Sequence, residues 1–129
     1  HDRICLNGQS ISEQDLDCCV KAIKPILTKM GQDTQWDRPT EFELVTLLMF
    51  YYFAILRPID IAIIEAGIGG KPDATNIFHA LAVVCPSISF DHQERLGHNL
   101  ADIAQQKAAV IKAKEPVVIG QLDPEASQV

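Results

Sequence analysis

Apolar and polar residues alternate with helical spacing in the first part of the chain. Ser12 is a residue type that begins helices, and Glu13 places an acidic side chain in the first turn. The apolar positions that would form one helix face are Leu16, Cys19, Val20, Ile23, Ile26 and Leu27. The pattern predicts a helix that begins after Ser12, preceded by a strand at Ile4–Leu6 and a tight Asn7-Gly8 turn.

A longer apolar stretch follows a second capping signal. Thr40 and Glu43 have the spacing of a capping box, which predicts a helix that begins at Thr40 and runs to about Leu56. Residues 44–56 are apolar nearly all round, so this helix should be covered on several sides. The stretch is shorter than the roughly 20 residues that a membrane span needs, so a buried helix is favoured over a membrane segment.

Short apolar runs alternate with a helical segment in the second half of the chain. These elements are Ile59–Ile64, Leu81–Cys85 with a continuation to Ile88, a helix from Leu100 to about Lys112 capped by Asn99, and Pro116–Ile119. Continuous apolar runs of this length fit parallel strands that are covered on both faces. The chain is therefore predicted to be α/β, with a mostly parallel sheet flanked by helices.

Composition narrows the class of protein. The chain has 129 residues, 47% of them hydrophobic, which is enough to build a core of one-domain size. The net charge is −6 and the basic residues form no cluster, which argues against a nucleic-acid partner. The four cysteines contain no C-x-x-C pair, so we expect thiols in a reducing, cytoplasmic compartment.

Two of the predicted strands end in residues that can do chemistry. Glu65 follows the first run, and Asp91-His92 follow the second. Ligands in open α/β sheets bind beyond the carboxyl ends of the strands, so Glu65 and His92 are candidates to hold Mg²⁺ or to act as a base. The residues alone favour a plainer alternative, in which the glutamate bonds the backbone and the histidine lies exposed in a loop.

Three other features each have a functional and a structural interpretation. The segment Gly67–Lys71 is rich in glycine but fits neither G-x-x-x-x-G-K-[ST] nor G-x-G-x-x-G, so a sharply turning loop is favoured over a phosphate site. Lys107 has small and apolar neighbours, which fits a snorkelling lysine or a partly buried one with altered reactivity. Glu43 is better explained by the helix cap than by a site.

Segments along the whole chain resemble the motifs of the folylpolyglutamate and dihydrofolate synthase family, and they occur in the same order. The longest is I-E-A-G-I-G-G-K-P-D-A-T-N at residues 64–76, which resembles the family signature L-E-V-G-L-G-G-R-L-D-A-T-N. The others are R-I…N-G…I-S at residues 3–12, T-E-F-E at 40–43, S-I-S-F-D-H at 87–92 and I-A-Q-Q-K-A-A-V-I-K at 103–112.

The resemblance implies a Mur-ligase-type fold in which a P-loop ATPase domain is followed by a second α/β domain. Residues 1–129 resemble only the middle of the ATPase domain and would be a single partial domain. The family's G-T-N-G-K-G-S phosphate loop is missing from the 129 residues, and so is the C-terminal domain.

The resemblance also assigns roles to individual residues. It implies that Glu65 and His92 are Mg²⁺ ligands and that Lys107 is the lysine that becomes carbamylated and supports the metal site. Carbamylation turns a cation into an anion that a metal cluster can use. The residues that match a pterin pocket are Thr40, Phe42, Asp73 and Ala74.

The function implied for the intact protein is an ADP-forming ligase that uses ATP and Mg²⁺. It would join L-glutamate to folate or dihydropteroate through an acyl phosphate. The alternatives are another Mur-type amino-acid ligase and a non-catalytic truncated domain. We expect the isolated chain to be inactive and to self-associate through apolar surface, with no nucleic-acid or membrane partner.

Overall fold

A short antiparallel hairpin opens the structure. In the computed structural model, which describes residues 3–33, 37–112 and 114–129, strand β1 (Cys5–Leu6) pairs with β2 (Gln9–Ser10). The two residues between the strands both have positive φ, 51° at Asn7 and 79° at Gly8. A two-residue turn with positive φ matches the twist of a hairpin, and Asn-Gly is the pair that favours it. The predicted turn is therefore confirmed.

Both helices of the first half begin where their caps predict. Helix α1 spans Glu13–Met30, and the Ser12 hydroxyl accepts a hydrogen bond of 3.1 Å from the Asp15 amide. Helix α2 spans Glu41–Tyr51 and continues as one π-helical stretch, Tyr52–Leu56. Its predicted end near Leu56 is confirmed, although the last turn is wider than an α-helix.

The chain divides into two units, and the first, His1–Ile63, has a core of its own. Its buried residues come from the hairpin, from α1 and from α2 with its π-helical end: Ile4, Ile11, Cys19, Ile23, Leu48 and Tyr52. Arg57 donates two hydrogen bonds, of 3.0 and 3.1 Å, to the two carboxylate oxygens of Asp15. This bidentate pair joins the end of the π-helical stretch to the first turn of α1.

The second unit, Ile64–Val129, contains a small parallel sheet with helices. Strand β3 (Val83–Cys85) pairs in parallel with β4 (Val117–Ile119), with Val83 opposite Val117. Helices α3 (Gln93–Leu96) and α4 (Leu100–Ala108) lie between these strands in the sequence, and a 3₁₀ turn, Ala126–Gln128, follows β4. The buried core cluster consists of Leu100, Ala104 and Ala126, with Ile88 and Leu122 packed against it.

The α/β prediction is therefore confirmed in its coarse form, but its strand at Ile59–Ile64 is wrong. No residue from Ile61 to Glu65 has strand conformation, and Ile61 and Ile63 are 76% and 98% exposed. A run of apolar residues becomes a strand only where a neighbouring strand bonds to it, and this run has none among the described residues. The second and third strands are also shorter than predicted.

Helix α4 begins after Asn99 as predicted but ends four residues earlier than expected, at Ala108 rather than Lys112. The Asn99 side chain accepts a hydrogen bond of 2.7 Å from the Asp102 amide, which caps the first turn. At the other end, the Ala109 carbonyl accepts a bond of 3.1 Å from the Asn76 side chain. A distant side chain thus satisfies a carbonyl at the helix end, which the local pattern does not reveal.

The remaining general expectations concern cysteines and membranes. All four cysteines lie in the described part of the chain, and none forms a disulfide. Burial raises the pKa of the Cys19 thiol, and Asp15 and Cys18 act in the same direction. Within the described ranges, no helix is both long and apolar enough to cross a membrane.

Candidate functional site

The glycine-rich loop, residues 66–76, is organised around the carboxylate of Asp73. One oxygen accepts hydrogen bonds from the Gly67 amide (2.8 Å) and the Ile68 amide (3.1 Å). The other accepts from the Thr75 amide (2.9 Å) and the Thr75 hydroxyl (2.5 Å). Asp73 is only 9% exposed, so a buried charge is matched by four donors of its own loop. These bonds fix the course of the loop on both sides of Asp73.

The same loop lies directly against the last turn of α4. A side chain at Gly70 would stand 2.8 Å from the Gln106 carbonyl oxygen, 2.9 Å from a Val110 methyl and 3.0 Å from the Lys107 carbonyl oxygen. These distances leave no room for a Cβ atom. Only glycine therefore allows the loop backbone to approach the helix that carries Lys107 this closely.

A cavity of about 490 Å³ lies inside the second unit, and half-buried Lys107 is among the residues that line it. The lining comes from the glycine-rich loop, from both strands and the segment after β3, from α4 and from the chain end: Ala66, Gly67, Gly69, residues 83–88, Ala104, Lys107, Ala108, Val110, Ile111, Val117, Ile119, Leu122, Ala126, Ser127 and Val129. Most of these residues are apolar. The cavity therefore brings Lys107 and the start of the loop to one partly enclosed space.

The two predicted metal ligands lie next to this region in sequence. Glu65 is exposed and directly precedes Ala66. His92 is half exposed and has a left-handed backbone (φ 48°, ψ 40°) at the N-cap of α3, with its Nε2 atom 3.6 Å from a carboxylate oxygen of Asp91. A left-handed conformation costs a residue other than glycine about 1–3 kcal/mol, and such residues cluster at functional sites.

Across the residues that the structure describes, no group of three or more His, Cys, Asp or Glu side chains is arranged to hold a metal. A metal bound here would therefore take at most two such ligands from the described residues. The pairing of Glu65 with His92 stays a prediction.

Thr40 and Phe42, predicted to line a pterin pocket, belong to the first unit. The Glu43 carboxylate accepts hydrogen bonds from the Thr40 amide (2.7 Å) and hydroxyl (2.8 Å), and the Glu43 amide donates to that hydroxyl (3.3 Å). The bonds from the Thr40 backbone and side chain lower the pKa of Glu43. The capping box is confirmed, and Phe42 presents 38% of its surface to solvent.

The predicted site residues are thus divided between the two units. Asp73, Ala74 and Lys107 lie in the second unit, where the loop and α4 are in contact, and Thr40 and Phe42 lie in the first. Asn76 and Lys112 both bond to this region, but the sequence interpretation gave neither a role. Asn76 is the last residue of the D-A-T-N segment, and this position in the motif is the sequence feature that could have pointed to it.

Comparison with known sequences places the chain in a family. No protein-family model matches it. The dihydrofolate synthase/folylpolyglutamate synthase of Bacillus subtilis is 40% identical over all 129 residues, which correspond to 30% of the length of that protein.

Solved structures agree with the sequence comparison. A Mycobacterium tuberculosis folylpolyglutamate synthase complexed with ADP and AMPPCP is 34% identical and superposes with a TM-score of 0.82 over 95% of this chain and 28% of its own. A folylpolyglutamate synthase in complex with AMPPCP and folate is 37% identical, with a TM-score of 0.87 over 94% of this chain and 29% of its own. The chain therefore belongs to the folylpolyglutamate and dihydrofolate synthase family and corresponds to about 30% of the length of its longer members.

Proposed function

We propose that the chain is a segment of an ADP-forming ligase that uses ATP to join L-glutamate to folate or dihydropteroate. The observation that carries the proposal is the match to named synthases along the entire chain, in sequence and in structure. Both of the solved structures described above are nucleotide complexes, and one of them contains folate as well. The Mur-ligase-type domain arrangement, with residues 1–129 as the middle of the ATPase domain, is part of the same proposal.

ATP would be held largely by groups outside these 129 residues, since they contain no G-x-x-x-x-G-K-[ST] motif. Mg²⁺ fits the donors that are present. It keeps several waters and is bound through one or two carboxylates together with substrate phosphates. Exposed Glu65 supplies such a carboxylate, and His92 would be the second ligand. When bound, the ion offsets negative charge on the phosphoryl group that is transferred.

The residues of the chain would then position the pterin substrate. Asp73 and Ala74 lie on a loop that is fixed by hydrogen bonds, so little conformational freedom remains to be lost when a ligand binds. Lys107 is half-buried in a mostly apolar cavity, and its carbamate would be an anion that supports the metal site. Thr40 and Phe42, which belong to the first unit, are proposed as pterin-binding residues on the motif resemblance alone.

Release of ADP by the full-length protein, with ATP, Mg²⁺ and glutamate, tests this function. Dihydropteroate, tetrahydrofolate and a cell-wall precursor are compared as acceptors. We expect turnover with a pterin, and no turnover by the isolated 129-residue chain. Turnover with the cell-wall precursor alone would favour another Mur-type ligase, and no turnover with any acceptor would favour a non-catalytic protein.

Two substitutions test the metal ligands in the same assay. Glu65→Gln and His92→Ala should abolish ADP release while the protein stays folded, because each removes a proposed ligand. Glu94→Gln and His98→Ala remove the same chemical groups at nearby exposed positions and should leave turnover unchanged. Near-normal turnover in either of the first two variants would overturn the assignment. Self-association and a cytoplasmic location stay predictions.

A further inference from the structure

The glycine-rich loop is tied to the end of α4 by the side chain of Asn76. Its amide nitrogen donates to the Gly70 carbonyl at 2.8 Å and to the Ala109 carbonyl at 3.1 Å. One bond stays within the loop, and the other reaches Ala109, the C-cap residue that directly follows α4. A single half-buried amide group therefore uses both of its N–H donors to join the two elements.

A second side chain joins the same two regions from the opposite direction. The Lys112 ammonium group donates to the Asn76 carbonyl at 2.7 Å and to the Phe78 carbonyl at 2.8 Å. Lys112 lies four residues beyond the end of α4, and its own amide donates to the Glu115 carboxylate at 2.7 Å. Bonds from an ammonium group are among the stronger hydrogen bonds in proteins.

We propose that Asn76 and Lys112 are positioning residues that hold the glycine-rich loop in one place relative to Lys107. The inference rests on the proposed function, in which the loop carries Asp73 and Ala74 as pterin contacts and Lys107 supports the metal site. A Cβ atom at Gly70 would stand 3.0 Å from the Lys107 carbonyl oxygen, so the loop lies close to the backbone of Lys107 and a shift of the loop changes its distance from that residue. Neither Asn76 nor Lys112 needs to touch a substrate for this role.

The hydrogen bonds of Asn76 and Lys112 have a different role from those of Asp73. A displacement of about 1 Å in a substrate-binding element costs up to about 100-fold in rate, because reacting groups must meet in a narrow range of positions. The Asp73 hydrogen bonds hold the loop to itself and therefore fix its shape. The Asn76 and Lys112 bonds fix its location on α4. Removal of the Asn76 and Lys112 bonds should therefore leave a loop that keeps its shape but changes its position relative to α4.

Variants of the full-length protein separate these roles. Asn76→Asp keeps the size of the side chain but removes its donors, and Lys112→Met keeps most of the length but removes the ammonium group. We expect each to raise the KM for the pterin substrate about tenfold, the effect of losing one or two hydrogen bonds, and to leave the KM for ATP unchanged. Lys112→Arg keeps donors at this position and should restore most of the affinity. Lys24→Met, on the exposed surface of α1, is the matched control and should change neither KM.

Hydrogen exchange, measured residue by residue in the same proteins without ligand, gives a readout independent of activity. The amides of Asp73, Asn76 and Ile77 bond within the loop region and should exchange about tenfold faster in the first two variants. Amides of α1 should exchange as before.

Unchanged exchange in the loop, or a pterin KM equal to that of the unaltered protein, would overturn the inference. So would an equal rise in the KM for ATP, since that indicates general damage. If the unaltered protein turns over no pterin, the proposed function fails, and the exchange comparison alone decides whether these side chains hold the loop.

Discussion

The two units of the chain are stabilised in different ways. In the first, six buried residues from the hairpin, α1 and the α2 region form one apolar cluster. In the second, the described residues include a smaller buried cluster of three, with Leu96 and Ile103 buried outside it, and the glycine-rich loop is held by hydrogen bonds to a buried carboxylate, to a helix end and to a lysine. Apolar burial is roughly proportional to area and has no direction, whereas hydrogen bonds require particular distances and angles.

The difference between apolar burial and directed hydrogen bonds affects where a binding or catalytic site can form. An apolar core tolerates small movements of its members as long as volume and pattern are kept. A loop held by directed bonds is restricted to a narrow range of positions, which is the property that binding and catalysis need. The candidate residues Asp73, Ala74 and Lys107 all belong to the part of the chain that is built in this second way.

Removal of an apolar side chain from the first unit should have the largest effect on stability. Ile23 is 3% exposed in the middle of α1, and Ile23→Ala should lower the free energy of unfolding by about 2–5 kcal/mol. Ile26, on the same helix, is 56% exposed, and Ile26→Ala should change the free energy by no more than about 0.5 kcal/mol. Urea denaturation followed by circular dichroism measures both. Similar losses in the two variants would show that the apolar cluster does not dominate this unit.

Removal of the charge from Asp73 should have a smaller and more local effect. Asp73→Asn weakens four hydrogen bonds, and we expect a loss of about 2 kcal/mol that is confined to the loop. Hydrogen exchange at Gly67, Ile68 and Thr75 reports the loss directly. The control Asp17→Asn breaks an exposed pair with Lys21 and should cost no more than about 1 kcal/mol. If α1 amides also exchanged faster in the Asp73 variant, the effect would not be local.

The smallest expected effect is a dependence on pH in the first unit. Hydrogen bonds from Thr40 lower the pKa of Glu43 in the folded state. Its contribution to stability is therefore complete above the pKa of an unfolded glutamate, about 4.3, and is lost as the pH falls through the lower folded value. Glu43→Gln should flatten the unfolding free energy in this acidic window and leave its slope near pH 7 unchanged. An identical pH profile in the variant would contradict a role for the carboxylate in the cap.

Structural elements that depend on only a few neighbouring residues could be predicted accurately from the sequence. Ser12, Thr40 and Asn99 each bond an amide three residues further on, so all the information needed to place these helix starts lies within one turn. The Asn7-Gly8 turn is local in the same sense. These elements form where their residues allow it, whatever the rest of the chain does.

Structural elements that depend on partners far away in the sequence could not be predicted in this way. The apolar run Ile59–Ile64 has the composition of a buried strand, but composition does not supply the strand that must bond to it. At the early end of α4, the Ala109 carbonyl bonds to Asn76, a partner 33 residues away that the local pattern does not mark. Glu65, His92 and Lys107 stand out by their positions in the sequence, and the pterin residues by a resemblance of motifs, while the contacts that hold the loop to α4 are visible only in the structure.

Within the glycine-rich loop, the amides of Gly67, Ile68 and Thr75 converge on one carboxylate, and that convergence has a consequence for nucleotide binding. Convergent backbone amides form the kind of nest that usually captures a phosphate. Here the nest already contains its own anion, which is tethered by the chain at a very high effective concentration. An external phosphate would have to displace Asp73 and leave a buried negative charge without partners. Despite its glycines, the loop binds its own carboxylate with the amides that would otherwise be available to a phosphate.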